Sequence, residues 1–266
     1  MRIGFIGAGK VGFTFGKYIT TKMVVSKPEH IQLEVSGYYS AHSESAADAA
    51  EFTETVMYNS LEELCSNSEV IFLTVPDGQI GEVWRRLKDL DIRGKIICHA
   101  SGAMTSDIFS GITEAGAFGY SIHPMYAISS KYESYKDNSF FTVEGDDRYA
   151  DRICSVIETL GNRCVKISGK DKVKYHSAAV FASNLVTGLL ATSQELLRQC
   201  GFSEEEAQMA IMPLFLGNAE NVAAKGLADS LTGPVERCDI GTVKKHMAVL
   251  SGDELQAYTA VSRCLV

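Results

Sequence analysis

The sequence predicts an α/β fold: a Rossmann-like, mostly parallel sheet with helices on both faces, followed by an all-α C-terminal domain. Three observations carry this prediction. The opening stretch "RIGFIGAGKVG" at 2–12 joins a short apolar run to glycines at positions 7, 9 and 12, and then to a segment able to start a helix. Beyond it, short apolar runs alternate with amphipathic stretches, the pattern of strands wound with helices. After Gly169 the strand signals cease and long helical patterns take over.

Taken in order, residues 2–6 make a buried strand and Lys10 begins a helix directly after the glycines. Strand, glycines and helix stand in the order that a dinucleotide-binding turn requires. In such a turn Gly7 permits the tight bend, Gly9 leaves room for a pyrophosphate, and Gly12 lets helix and strand pack closely. Ala8, Lys10 and Val11 complete the loop, whose helix N-terminus offers free N–H groups to phosphates. Glycine is common, so the spacing alone also suits a purely structural turn.

Further strands are predicted at 33–39, weakly at 56–58, and at 70–75, 95–99 and 118–122, with helices at 60–66, 79–87 and 106–115. Residues 140–144 and 164–167 extend the same sheet around a helix at 148–160. The expected domains are 1–168, a dinucleotide-binding Rossmann-like part, and 169–266, a helical part. From Lys172 to Cys200 the apolar spacing predicts one continuous helix of roughly 40 Å at 1.5 Å per residue. Gly201 suits its stop, and Ser203 with Glu206 forms a capping box for a helix running toward Lys225. The polar segment "LTGPVERCDIGTVKKH" precedes a terminal helix from Asp253.

Composition narrows the classes of function. The 266 residues are 45% hydrophobic, enough to bury a core without staples. No apolar run approaches the ~18 residues of a membrane span, and the strand at the start leaves no room for a signal peptide, so a cytoplasmic protein is expected. Seven cysteines without a CxxC pair suggest reduced, mostly buried thiols and no metal site. A net charge of −8 argues against nucleic acid as partner, and no membrane partner is expected.

The second strand speaks to the dinucleotide. NAD sites place an acid at its carboxyl end to bond the adenosine ribose, and NADP sites replace that acid. Here "GYYSAHSES" offers Ser40, His42 and Ser43 where the acid would stand, and Glu44 falls beyond it. Hydroxyls and an imidazole bond a phosphate that a carboxylate would repel, so NADP is favoured over NAD. A solvated loop that ignores the ribose is the alternative.

With the turn, "VIFLTVPD", "SIHPM" and "KYHSAAVFASN" located, the chain resembles the domain-of-unknown-function 2520 family of Rossmann-like NADP oxidoreductases. The likeness spans nearly the whole chain and is most specific at "YHSAAVFASN" (175–184) and "LTGPVERCD" (231–239). More distantly the chain is similar to pyrroline-5-carboxylate reductase, ketopantoate reductase, prephenate dehydrogenase and the 3-hydroxyacid dehydrogenases. The resemblance implies an NADP domain, a helical domain that usually forms a homodimer, and an active cleft between them. The resemblance supplies no substrate; the leading reading is hydride transfer between NADP(H) and a small carbonyl, imine or hydroxy acid.

By the same resemblance, Val75, Pro76 and Asp77 correspond to the loop near the nicotinamide ribose. Ser101 and Gly102 follow the next strand, at the carboxyl edge where open α/β sheets bind ligands. His123, in His-Pro-Met, stands where a prephenate dehydrogenase histidine contacts the oxidised hydroxyl; a structural role is the alternative. On the long helix His176, Val180, Ser183 or Asn184, and Thr187 recur on one face. The 3-hydroxyacid dehydrogenases carry an acid–base lysine where this chain has Val180. His176 is therefore the favoured proton carrier, Asn184 a substrate-orienting residue, and Lys172 a weaker candidate. Hydrogen bonding between helices is the bland reading of His176 and Asn184. In the late loop Thr232 and Arg237 are candidate substrate contacts near Asp239 and His246. The Arg237 guanidinium suits a carboxylate, though Asp239 or Glu236 could pair with it instead. Cys238 stands where the family pattern has glycine. The rival function is an NADP(H)-sensing binding protein without catalysis, and a third reading is a relative with an empty cleft.

Overall fold

The computed structural model describes residues 1–25, 32–133, 135 and 137–265. The chain divides into two compact units, Met1–Val180 and Phe181–Val266. In the first, seven strands form one sheet: β1 (Arg2–Ile6), β2 (Glu34–Tyr39), β3 (Val70–Leu73), β4 (Ile96–His99), β5 (Phe118–Met125), β6 (Phe140–Gly145) and β7 (Arg163–Lys166). Their spatial order is β2-β1-β3-β4-β5-β6-β7. All neighbours run parallel except β5 and β6, which pair antiparallel. The expected mostly parallel sheet is thus present. β1 lies between β2 and β3, so the chain turns to opposite sides after β1 and opens a crevice at the strands' carboxyl ends.

Helices α1 (Lys10–Val25), α2 (Ser43–Thr53), α3 (Leu61–Asn67), α4 (Asp77–Leu87) and α5 (Asp147–Thr159) cover the sheet. One apolar cluster contains Phe5, Phe13, Phe15, Tyr38 and Phe72 with the small face of α2, Ala46, Ala49 and Ala50. A second contains Leu64, Ile71, Leu73, Trp84 and Ile97. β3 feeds both clusters because its alternate residues point to opposite faces. Each large apolar side chain so buried contributes roughly 1.5–3 kcal/mol.

α6 (Lys172–Ala182) starts in the first unit, and the second holds α7 (Asn184–Gln199), α8 (Glu204–Lys225), α9 (Ile240–Val249) and α10 (Gly252–Arg263). α7 packs on α8, and α9 on α10. The predicted capping box is present: Ser203 Oγ accepts from the Glu206 amide, and the Glu206 carboxylate accepts from the Ser203 amide.

Several expectations are corrected. The single helix from Lys172 to Cys200 is two helices, because Ser183 leaves helical geometry at φ −130°, ψ −82°. Its hydroxyl donates to the Asn184 side chain at 3.0 Å, a local polar bond of the kind that competes with helix. The argument that placed His176 and Asn184 on one helical face therefore fails. Residues 106–115 form a 3₁₀ turn at Ser106–Ile108 and then turns, as Gly111 adopts a left-handed φ of +81°. The weak strand at 56–58 is a single bridge between Tyr38 and Met57. α2 arises where no element was predicted, and α9 from within the segment read as polar connection. Of the thiols only Cys65 and Cys98 are buried; Cys200, Cys238 and Cys264 are exposed.

Candidate functional site

The glycine turn forms as its sequence requires. Gly7 sits at φ +97°, a conformation costly for any residue with a Cβ, and its amide donates to the Tyr39 carbonyl at 2.9 Å. A Cβ on Gly12 would come within 2.7 Å of Thr74 Oγ1, which itself donates to the Gly7 carbonyl at 2.7 Å. Gly9 has only the Thr74 carbonyl nearby, at 3.8 Å, so its side faces open space. The first helical bond of α1 runs from the Phe13 amide to the Gly9 carbonyl, which leaves the amides of Lys10, Val11 and Gly12 without an intrahelical acceptor. A phosphate is the natural acceptor for such a terminus.

Beside this turn lies a cavity of ≈ 370 Å³ lined by Gly7, Ala8, Gly9, Tyr39, Ser40, His42, Ser45, Thr74, Val75, Pro76, Gln79 and Arg86, among others. Of the residues expected to hold a cofactor, Gly7, Ala8, Gly9, Ser40, His42, Val75 and Pro76 line it directly. Lys10, Val11 and Gly12 form the first turn of α1 behind it, and Ser43 starts α2. Among the described residues lining it there is no carboxylate. Arg86 is the residue that sequence reasoning missed. Gln79, Val83 and Arg86 face the cavity along α4, while Ile80, Trp84 and Leu87 face the core; that amphipathic split was the available signal.

Asp77 and Ser101 lead from the cavity to a second cluster. Ser101 Oγ donates to the Asp77 carboxylate at 2.6 Å, immediately after Pro76. The Ser101 amide donates to His99 Nδ1 at 3.2 Å, so the His99 proton sits on Nε2, which faces the Thr105 carbonyl at 3.2 Å. Lys172, without exposed surface, donates from Nζ to the Ser101 carbonyl at 2.9 Å and to Ser121 Oγ. Ser121 Oγ donates in turn to the same carbonyl at 3.1 Å.

Gly102 is where two histidines converge. A Cβ there would lie 2.5 Å from His176 Nδ1 and 2.9 Å from His123 Nε2. The two rings stand edge-on with centroids 5.9 Å apart. His123 Nδ1 is 2.8 Å from the Tyr175 hydroxyl, whereas His176 Nδ1 is buried with no hydrogen-bond partner.

Burial sets the charge states. Desolvation lowers His99 and His123 to about 4, the cation of Lys172 adding to the effect, so both rings are neutral near pH 7. Desolvation likewise lowers Lys172 to about 8, against the opposing pull of Glu144 and Asp77. Of these groups the Lys172 amine is the one whose charge changes close to neutrality.

The remaining candidates lie in the second unit. Ser183 and Asn184 are exposed at the start of α7. Thr232 and Arg237 occupy the loop before α9, which Asp239 caps by accepting from the Thr242 amide at 3.0 Å. His246 Nδ1 is 3.0 Å from the Tyr258 hydroxyl. Arg237 makes no ion pair within 4 Å among the described residues.

The fold and this site define a Rossmann-like α/β protein with a helical C-terminal unit. Residues 1–124 match the model of a Rossmann-like domain, and residues 139–264 match the domain of unknown function DUF2520, which bears out the family resemblance on both halves. Among solved structures, BF3122 from Bacteroides fragilis, titled a "putative NADP oxidoreductase", is 21% identical, with TM-score 0.75 over 99% of this chain and 97% of its own. Protein TM1727 from Thermotoga maritima is 26% identical, with TM-score 0.75 over 99% and 96%. Plasmodium falciparum pyrroline carboxylate reductase with NADP bound is 14% identical, with TM-score 0.59 over 100% and 98%. No protein of curated function matches. Among the described residues, no helix is long and apolar enough to cross a membrane.

Proposed function

We propose that this chain is an NADP(H)-dependent oxidoreductase acting on a small carbonyl, imine or hydroxy acid. One observation carries the reading: the phosphate-binding turn and the histidine cluster are joined through the Asp77–Ser101 hydrogen bond. The structures named for NADP oxidoreductase and for NADP-bound pyrroline carboxylate reductase support it by likeness of fold.

The turn fits the cofactor on three counts: the open side of Gly9, the free first-turn amides of α1, and a cavity lining without carboxylates. When bound, the nicotinamide supplies or accepts a hydride. The protein's part is proton management. His99 and Lys172 are engaged by backbone and hydroxyl groups, which suits them to hold the Ser101–Gly102 loop in place. Neutral His123 can accept or donate a hydrogen bond. His176, whose buried Nδ1 has no protein partner, is positioned to exchange the proton that accompanies hydride transfer. Asn184, Ser183, Thr232 and Arg237 are proposed as substrate contacts from the second unit. That unit's exposed apolar side chains, Leu185, Leu189, Met209 and Leu214 among them, support a homodimer.

The test supplies NADPH with small keto acids and cyclic imines and follows loss of the reduced nicotinamide. Turnover is expected, and His176→Gln should lower it about 10²–10⁴-fold with NADPH affinity unchanged. Unchanged turnover would move the proton role to Lys172 or His123. Tight NADPH binding with no oxidation by any such compound would favour the sensing protein, to which the absence of a lysine at Val180 already points.

A further inference from the structure

The cavity beside the glycine turn continues past any pyrophosphate position along one face of α4. Pro76 stands at the N-terminal end of that helix, and Gln79, Val83 and Arg86 follow at steps of four and three. From Gln79 to Arg86 the helix rises roughly 10 Å at 1.5 Å per residue. The far end is bounded on the other side by Ser40, Ala41 and His42, the chain leaving β2. Arg86 Nη2 lies 3.4 Å from the hydroxyl of Tyr39, the residue before Ser40.

This end of the cavity is where an acid at the close of β2 would bond an adenosine ribose, and no carboxylate lines it. A chain of net charge −8 thus presents there a guanidinium, two serine hydroxyls and an imidazole. Arg86 makes no ion pair within 4 Å among the described residues. Its charge is felt by Glu62, which does not line the cavity. Its carboxyl is held low first by its own backbone amide and the Ser60 side chain, and only last by Arg86.

We infer that Arg86 is the specificity-determining residue of the dinucleotide site: its guanidinium pairs with the ribose 2′-phosphate, with Ser40 and His42 completing the anion site. The inference rests on the oxidoreductase reading and goes beyond it, because replacement of an acid by hydroxyls only tolerates a phosphate, whereas a planar two-pronged donor selects one. It also assigns the selecting cation to α4, away from the loop after β2.

Arg86→Gln tests it, with Arg85→Gln as control, since Arg85 shares the turn but does not line the cavity. The probes are NADPH, NADH, 2′,5′-ADP and 5′-ADP, each titrated calorimetrically onto the full chain. Arg86→Gln should weaken NADPH and 2′,5′-ADP by roughly 10- to 100-fold, with NADH and 5′-ADP changed less than about threefold. Arg85→Gln should change none of them appreciably. Equal weakening of both dinucleotides would overturn the assignment in favour of a contact with the adenine or pyrophosphate. No weakening, or equal weakening by Arg85→Gln, would overturn it too. Each of those results leaves the oxidoreductase reading standing, whereas a wild-type chain that binds neither dinucleotide would overturn both.

Discussion

Lys172 Nζ donates to the carbonyl oxygen of Ser101 at 2.9 Å, binding the first residue of α6 to the loop after β4 across a sequence separation of 71. A primary amine without exposed surface carries a desolvation penalty while charged, and among the described residues this one has hydrogen bonds but no ion pair within 4 Å. Stability should therefore depend on alkaline pH. The folded chain releases this proton at about 8, against the ordinary 10.5. At this group the unfolded chain binds more protons between those values, so the Lys172 contribution to stability should rise with pH across that window, while the buried thiols of Cys65 and Cys98, pushed up by desolvation, contribute in the opposite sense. Urea unfolding at pH 7.5, 9 and 10 should show the wild type gaining stability relative to Lys172→Met, a difference in which the thiol contributions cancel. A difference between the two chains that stays flat or falls across the window would contradict the buried charge.

At the acid end His99 acts alongside His123. Desolvation lowers its ring to about 4, while the unfolded chain protonates near 6.5. The unfolded state therefore binds more protons between those values, and stability should be full above about 6.5 and decline as pH falls toward 4. At ~1.4 kcal/mol per unit of displacement, the loss is on the order of a few kcal/mol. His99→Gln should weaken this dependence in denaturant titrations at pH 7, 5.5 and 4.5.

Gly102 has no room for a methyl group. Gly102→Ala would drive a Cβ against His176 Nδ1 and His123 Nε2, and should cost about 1–3 kcal/mol, typical of overpacking. The change should also displace both histidine ring signals in proton–nitrogen spectra, while other histidines hold theirs. Unaltered spectra with unaltered stability would place the rings elsewhere.

Cys238 occupies a left-handed conformation at φ +54°, in the position where the family pattern has glycine. Cys238→Gly removes a Cβ from that geometry at an exposed site, and should stabilise the chain by about 1 kcal/mol. A thermal melt should show a rise of about 2–4 °C for a chain of this size. A lowered midpoint would show that the thiol makes a contact worth more than the strain.

Read alone, the sequence determined the features that short-range pattern encodes. The apolar runs became strands of one sheet, the three glycines became the phosphate-ready turn, and Ser203 with Glu206 became a helix cap. Each depends on residues within a few positions of one another, where backbone geometry and hydrogen-bond reach dictate the result. The same locality misled at residues 172–200, where helical spacing continued through Ser183 but the backbone did not. Tertiary structure decided what reaches the site. Arg86 reads as an ordinary basic residue in the last turn of α4, and only the crossing of α4 past the end of β2 brings it to Ser40 and His42. Lys172 reads as a weaker proton-carrier candidate with no sign of its burial until Ser101 and Ser121 close over it, and Gly102 only as a residue of the carboxyl edge until two rings meet it. These meetings join residues tens of positions apart. No period or spacing in the chain records them, because burial and desolvation arise only when the strands' carboxyl ends are gathered along one edge.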